Sequence, residues 1–188
     1  MPLNIPNLIT WLRIVLIPLL IAIFYLPDAW LSPAGKNACA CAVFVVAALS
    51  DWLDGYLARV LDQASAFGAF LDPVADKLIV AAALIVLLSL GRVEPLIALI
   101  IIGREIAISA LREWMAKLGQ SGSVAVAYIG KVKTASQMVA IPLLLFHDDV
   151  LGIVSAHRLG TLLIYVAAVL TVASMAHYLR RALPHAGG

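Results

Sequence analysis

Charged residues are scarce in this sequence. Only 13% of its 188 residues are Asp, Glu, Lys or Arg, whereas 63% are hydrophobic, and the mean hydropathy is +1.02. A soluble domain carries about 25% charged residues, so the composition argues against an ordinary soluble protein. Long apolar runs recur along the chain, and their length suits helices that cross a bilayer core of about 30 Å. We expect a single polytopic membrane domain over residues 1–188.

The sequence also has few cysteines and no pattern typical of nucleic-acid binding. The two cysteines, Cys39 and Cys41, are separated by one residue in an apolar segment. On a helix their side chains point about 200° apart, so they cannot form a disulfide with each other. No stripe of basic residues with interleaved aromatics is present, which argues against nucleic acid as a partner.

The apolar runs predict an all-α fold with six transmembrane helices. Residues 1–7 contain Pro2 and Pro6 and are expected to form a short interfacial segment before the first span. Residues 27–36 are expected to form the loop that follows the first span. The predicted spans are residues 8–26, 37–61, 67–90, 95–115, 128–146 and 158–179.

Cations are distributed unevenly between the two sides of this predicted topology. One side holds only Lys36, Arg92 and Arg158. By the positive-inside rule the richer side is cytoplasmic, which also places both termini in the cytoplasm. The richer side holds Arg59, Arg104, Arg112, Lys117, Lys131, Lys133, Arg180 and Arg181.

Four carboxylates interrupt the apolar pattern within one stretch: Asp51, Asp54, Asp72 and Asp76. The first two are three residues apart and the last two are four apart, so each pair shares a helix face. A short turn between the second and third spans makes these spans antiparallel, which brings the four acids to one membrane depth. Like charges disfavour joint ionisation unless a cation is bound. Oxygen ligands suit a hard divalent cation such as Mg²⁺, and pairing with buried Arg or Lys is the alternative.

Small residues accompany these acids on the same helix faces. Gly55, Ala58 and Gly68 leave room for a flat ring or a pyrophosphate to approach the backbone, and Arg59 suits a phosphate oxygen. Close helix packing is the alternative explanation for the small residues. The stretch therefore predicts a site for a metal and a phosphate.

From Asp51 to Asp76 the residues read D-x2-D-G-x2-A-R-x8-G-x3-D-x3-D. This pattern resembles the signature of the CDP-alcohol phosphotransferase family at every defined position, and the six apolar runs agree with it. Further stretches resemble the branch of the family that uses sn-glycerol 3-phosphate as acceptor. They are residues 4–18, 67–77, 104–116 and 130–134.

The resemblance implies an enzyme of phospholipid biosynthesis in the bacterial inner membrane, with its active site toward the cytoplasm. Such an enzyme transfers the phosphatidyl group from CDP-diacylglycerol to sn-glycerol 3-phosphate and releases CMP. The resemblance also implies two divalent ions, Mg²⁺ or Mn²⁺, per active site, and a homodimer surrounded by membrane lipids.

Residue roles are carried over position by position. The four aspartates correspond to the metal ligands of the family, and Asp76 also to the general base. The residues implied for CDP-diacylglycerol are Asn7, Thr10, Arg13, Gly55, Ala58, Arg59 and Gly68.

The acceptor brings a phosphate dianion, which requires cations near the metal site. The candidates are Arg104, Arg112, Lys131 and Lys133. Lys131 and Lys133 diverge on a helix, so only one of them is expected to face the site. The alternative for such cations is binding to anionic lipid headgroups.

Two other functions are compatible with the same pattern. One is a transferase of this family with another acceptor, such as inositol phosphate, serine or phosphatidylglycerol. The other is a transporter for a divalent cation, although transporters place their sites near the bilayer centre. Here the aspartates lie toward the predicted cytoplasmic ends of their spans.

Overall fold

The fold was analysed in a computed structural model, which describes residues 5–60, 66–117, 128–150 and 154–182. The helices are α1 (Ile5–Ala22), α2 (Pro33–Val60), α3 (Ala66–Ser89), α4 (Pro95–Lys117), α5 (Tyr128–Phe146) and α6 (Ala156–Ala182). A 3₁₀ turn, Ile23–Tyr25, extends α1. Strands β1 (Asp149–Val150) and β2 (Val154–Ser155) pair antiparallel between α5 and α6. In the described part of the chain, the regular secondary structure is therefore helical apart from this pair of two-residue strands.

Two helices start three or more residues before the predicted position. Helix α1 begins at Ile5, so the end of the predicted interfacial segment is helical. Helix α2 begins at Pro33, inside the predicted loop 27–36. Ser32 caps it, because the Ser32 hydroxyl accepts a hydrogen bond from the Gly35 amide at 3.2 Å. Proline suits the first helical position, where no donor is needed, and the Ser-Pro pair explains the earlier start.

Among the described residues, three helical segments are long and apolar enough to cross a membrane: Leu8–Tyr25, Pro33–Asp51 and Ala156–Ala176. Val132–Phe146 is a shorter apolar segment. Charged residues interrupt the apolar runs of α3 and α4, which contain Asp72 and Asp76, and Arg104 and Glu105, respectively. The structure supports a helical membrane protein, and the full count of six spans stays a prediction.

One apolar core joins all six helices, and apolar side chains also cover the outside of the bundle. Large apolar side chains on the outside of the bundle are more than half exposed, among them Val15, Ile85 and Val169. An exposed apolar surface of this kind fits lipid rather than water as the surroundings. The core includes Leu20, Phe44, Leu84, Ile101, Ile141 and Ile164.

Helices α5 and α6 approach each other closely at Gly160. A Cβ atom on Gly160 would lie 2.8 Å from Leu144 Cγ, 3.1 Å from the Leu144 amide nitrogen and 3.2 Å from the Ala140 carbonyl oxygen. Two of these atoms are backbone, so relief requires a shift of α5. We expect Gly160→Ala to lower the free energy of unfolding by about 1–3 kcal/mol, measured by thermal unfolding in detergent.

Gly103→Ala is the matched control for this prediction. Among the described residues, no atom outside the adjacent backbone of α4 and the two chain neighbours lies within 4 Å of a Cβ placed on Gly103, and alanine is the better helix former by about 1 kcal/mol. Its unfolding temperature should stay the same or rise. A similar loss of stability in both variants would contradict the close α5–α6 contact as the cause.

Candidate active site

Helix α1 packs against both α2 and α3 and places Arg13 between two carboxylates. The Arg13 side chain is fully buried, and its Nη1 lies 3.3 Å from Asp51 Oδ1 of α2. The same nitrogen donates a hydrogen bond to Asp76 Oδ1 of α3. The structure therefore brings carboxylates of two facing helices to one point, as the helical spacing predicted.

Thr10 lies one turn before Arg13 on the same face of α1. Its hydroxyl donates a 2.5 Å hydrogen bond to Asp72 Oδ1. Thr10 and Arg13 are thus in contact with the carboxylate cluster, whereas the sequence predicted contacts with the donor pyrophosphate. Two signals in the sequence pointed to these contacts. The spacing of three residues places Thr10 and Arg13 on one helix face, and a buried cation in an apolar helix requires a counter-ion.

Several predicted site residues fall outside the part of the chain whose side chains are described. Gly68, by contrast, is described, and it is buried near the start of α3. The side chains outside the description are those of Asn7, Asp54, Gly55, Ala58, Arg59, Arg112 and Lys131.

The donor atoms at this point fit a hard divalent cation. Asp51 and Asp76 present oxygen atoms that already share one positive charge, and oxygen donors are what Mg²⁺ and Mn²⁺ prefer. Among the described residues no group of three or more His, Cys, Asp or Glu side chains is arranged to bind a metal ion. Because the Asp54 side chain is not among them, the predicted four-aspartate ligand set stays a prediction.

A cavity of about 450 Å³ joins the carboxylates to the basic residues. Asp51, Asp76 and Lys77 line one side of it, contributed by α2 and α3. The other side is formed by α4 and α5, and the charged residues there are Arg104, Glu105 and Lys133. Two of the four predicted acceptor-binding cations therefore share a cavity with two of the predicted metal ligands. Lys133 lines the cavity, and the prediction that only one of Lys131 and Lys133 faces the site stays a prediction, because the Lys131 side chain is outside the description.

The basic side of the cavity is a network centred on Glu105. Lys133 and Arg104 are 2% and 8% exposed, and the Lys133 ammonium donates to Glu105 Oε1. Arg104 Nη1 lies 3.3 Å from the same oxygen, and Arg104 Nη2 lies 3.3 Å from Ser174 Oγ of α6. From the sequence, Glu105 was predicted to orient the neighbouring cations but was not assigned to the site itself. The available signal was an acidic residue directly after a cation in an apolar helix.

The opposite end of α5 carries a different polar cluster. Arg92 donates hydrogen bonds to the carbonyl oxygens of Leu144 and Leu145 at 3.1 and 2.9 Å, and to Asn37 Oδ1 at 2.8 Å. Burial lowers the pKa of Arg92, whereas the negative charge of Asp148 raises it by less. Leu144 lies eleven residues after Lys133, or about 16 Å along a helix. Arg92 thus connects the turn before α4 to the end of α5, away from the cavity.

Two histidines belong to this distant cluster. The rings of His147 and His157 are 4.7 Å apart. Burial lowers the pKa of His147, and the charges of Arg92 and His157 lower it further, while Asp148 raises it. These two histidines lie at the end of α5 opposite to Lys133 and at the start of α6, away from the cavity.

Comparisons with known proteins show the family of this chain. The family model described as CDP-alcohol phosphatidyltransferase matches residues 3–173. Relatives from Salmonella choleraesuis (strain SC-B67), Shigella flexneri serotype 5b (strain 8401) and Escherichia coli (strain K12) are 48%, 49% and 49% identical over 184 residues, which cover 97% of this chain and 96% of each relative. Each is named CDP-diacylglycerol–glycerol-3-phosphate 3-phosphatidyltransferase. The resemblance of the aspartate signature is thereby confirmed, and the chain belongs to the CDP-alcohol phosphatidyltransferase family.

Proposed function

We propose that this chain transfers the phosphatidyl group from CDP-diacylglycerol to sn-glycerol 3-phosphate, giving phosphatidylglycerophosphate and CMP. The observation that carries the proposal is the single cavity that holds Asp51 and Asp76 together with Arg104 and Lys133. Carboxylates for a metal-assisted transfer and cations for a phosphorylated acceptor are both needed, and they line the same space. The names of relatives 48–49% identical over almost the whole chain support the same activity.

On the donor side, a hydroxyl of the acceptor attacks the β-phosphorus of CDP-diacylglycerol. The bond between that phosphorus and the bridging oxygen breaks, and CMP leaves. Phosphoryl transfer requires mainly positioning and neutralisation of charge. Asp76 lines the cavity and is the base in this proposal, since a carboxylate within hydrogen-bond reach must take the hydroxyl proton.

The family generally depends on a divalent metal. In this chain Asp51, Asp54, Asp72 and Asp76 would hold two ions, Mg²⁺ or Mn²⁺. When bound, they would neutralise the pyrophosphate and the leaving CMP oxygen. Arg13 and Thr10 orient three of these carboxylates through the contacts described above.

The nucleotide would be held near the small residues of the signature. The residues proposed for contact with CDP-diacylglycerol are Asn7, Gly55, Ala58, Arg59 and Gly68, whereas Thr10 and Arg13 would act on the donor through the carboxylates that they contact. On the acceptor side, Arg104 and Lys133 would bind the phosphate of glycerol 3-phosphate, with Arg112 and Lys131 as further candidates. A buried guanidinium and ammonium make charge-assisted hydrogen bonds to a phosphate.

The charge distribution and the bacterial relatives support a setting for the reaction. We place the chain in the bacterial inner membrane as one domain with six spans, and the cavity at the cytoplasmic end of the bundle, where the cations gather. A homodimer, as the family resemblance implies, completes the proposal.

The two alternatives differ in what they require of the cavity. A cation transporter has no need for Arg104 and Lys133 beside its carboxylates, because like charge would raise the energy of a passing cation. Another phosphorylated acceptor, such as inositol phosphate, would use the same cations. Serine and phosphatidylglycerol would use them less well, since serine carries no phosphate and phosphatidylglycerol only a diester.

An acceptor panel tests the proposal. The purified protein is supplied with CDP-diacylglycerol and Mg²⁺ and with one of glycerol 3-phosphate, inositol phosphate, serine or phosphatidylglycerol. We expect CMP release and a new lipid, phosphatidylglycerophosphate by mass spectrometry, only with glycerol 3-phosphate, and no reaction in EDTA. Product from another acceptor, or cation flux in liposomes without CMP release, would contradict the proposal.

A further inference from the structure

The carboxylate of Glu105 occupies the position between the two buried cations of the cavity. One oxygen, Oε1, accepts from Lys133 and lies 3.3 Å from Arg104 Nη1. This is the arrangement that a phosphate oxygen would adopt between an ammonium and a guanidinium. The chain thus presents an anion of its own at the pair of cations proposed for the acceptor phosphate.

The three side chains differ in their freedom to move. Arg104 is held on its other side by Ser174 of α6, and Lys133 is 2% exposed. The Glu105 side chain is 24% exposed and borders the cavity. Rotation of Glu105 into the cavity would break its contacts with both cations without moving either one.

We infer that Glu105 is a displaceable counter-anion of the acceptor site: it pairs with Arg104 and Lys133 when no phosphate is bound, and it competes with the phosphate of both substrate and product. The inference rests on the proposed function. A phosphate between the cations would bring a second anion next to Glu105, which like-charge repulsion disfavours. The carboxylate must therefore leave the cations for the phosphate to bind.

The competition matters most for product release. Phosphatidylglycerophosphate keeps the phosphate of the acceptor, so a site that binds this phosphate tightly would also retain the product. Equal stabilisation of the bound substrate and product phosphate lowers KM without aiding the chemical step. Return of Glu105 to Arg104 and Lys133 weakens product binding and restores the paired state, in which neither buried cation lacks a counter-charge.

Glu105→Gln distinguishes this role from that of a fixed structural ion pair. We expect KM for sn-glycerol 3-phosphate and the inhibition constant of inorganic phosphate to fall about fivefold, because one competing negative charge is removed. We expect kcat to fall by a similar factor, because the product leaves more slowly. If Glu105 only orients the cations, its loss would raise KM instead.

A second measurement does not depend on turnover. Without a carboxylate the two cations are less well compensated, so Glu105→Gln should unfold at a lower temperature in phosphate-free buffer. Inorganic phosphate should then raise its unfolding temperature more than that of the wild type, because binding to the folded state stabilises it. An equal or smaller rise would overturn the inference.

Glu113→Gln is the matched control. It removes the same charge from the same helix, but Glu113 is 71% exposed and pairs with the exposed Lys117 at 2.9 Å. Its KM, kcat and phosphate response should match the wild type. Glu105→Asp keeps the charge with a shorter reach, so its values should fall between those of the wild type and Glu105→Gln, and a higher KM in Glu105→Asp would overturn the inference.

The two levels of the proposal can fail separately. If wild-type protein forms no phosphatidylglycerophosphate, the proposed function fails, and the phosphate-dependent unfolding of Glu105→Gln still tests the role of Glu105. If the wild type is active and Glu105→Gln shows a raised KM, the function stands and the inference fails. When Glu105→Gln is introduced into Lys133→Gln, the decrease in KM for sn-glycerol 3-phosphate should be smaller than in the wild type, since the two residues act on one contact.

Discussion

Asp76→Asn is expected to abolish phosphatidylglycerophosphate formation, with a loss of about 10²–10⁴-fold in kcat, the range for removal of a general base. Asparagine has nearly the same shape as aspartate, but its amide cannot accept the hydroxyl proton. Arg13 would keep its contact with Asp51, so the helices should remain packed. CDP-diacylglycerol binding, measured by equilibrium binding of labelled donor in the presence of Mg²⁺, should stay close to that of the wild type.

Asp28→Asn is the control for this variant. Asp28 is 72% exposed and pairs with Lys36 at 2.6 Å, on the side of the bundle away from the cavity. The same chemical change there should leave turnover intact. Equal loss of turnover and of donor binding in Asp76→Asn would contradict its role as the base and indicate a metal ligand alone.

Helix spacing was sufficient to predict the meeting of the carboxylates. Residues three and four apart share a face, and the short connection predicted between the second and third spans requires them to be antiparallel, so Asp51 and Asp76 converge. These are short-range consequences of helix geometry. The same geometry cannot predict a partner on a third helix, because contact between helices depends on which apolar faces pack together.

Arg13 shows where the sequence stops being informative. It lies 63 residues from Asp76 in the chain, and only the packing of α1 against both α2 and α3 brings it between the carboxylates. The expectation that a buried cation needs a counter-ion was available from composition. The identity of that counter-ion was not, since several acids were candidates.

Gly160 was not singled out by its sequence neighbourhood, and Glu105 was predicted only to orient a neighbouring cation, without its partner on α5. A glycine in an apolar helix has several explanations, and only the position of Leu144 on α5 shows that this one permits a close approach. Glu105 is one of two acids next to a cation on α4. The burial of Lys133 against Glu105, compared with the exposed pair of Glu113 and Lys117, separates the two acids.

Arg13→Met should have the second-largest effect. The substitution removes the charge between Asp51 and Asp76 but keeps an extended apolar side chain. Loss of one partner from a buried ion pair costs about 3–5 kcal/mol, and we expect about 1–3 kcal/mol here because these carboxylates are 42% and 36% exposed and partly screened by water. Turnover should fall about 10²-fold, since the carboxylates are no longer held in place.

Thermal unfolding with and without Mn²⁺ identifies the cause of this loss. In EDTA, Arg13→Met should unfold well below the wild type, because Asp51 and Asp76 then repel each other without a cation. Mn²⁺ should raise the unfolding temperature of Arg13→Met more than that of the wild type, since it supplies the missing positive charge. Arg13→Lys, which keeps the charge, should recover much of the stability in EDTA but less of the turnover, because one ammonium cannot reproduce the guanidinium fork.

Arg158→Met is the matched control, since Arg158 is exposed at the start of α6 and its loss should change neither stability nor the response to Mn²⁺. If Arg13 acted only through packing, the deficit of Arg13→Met would be the same in EDTA and in Mn²⁺, and Arg13→Lys would not restore stability. A deficit that Mn²⁺ reduces requires the two carboxylates to share one cation site. The fully buried Arg13 and the divalent ion would then be alternative or joint sources of the positive charge that holds α2 and α3 together at the active site.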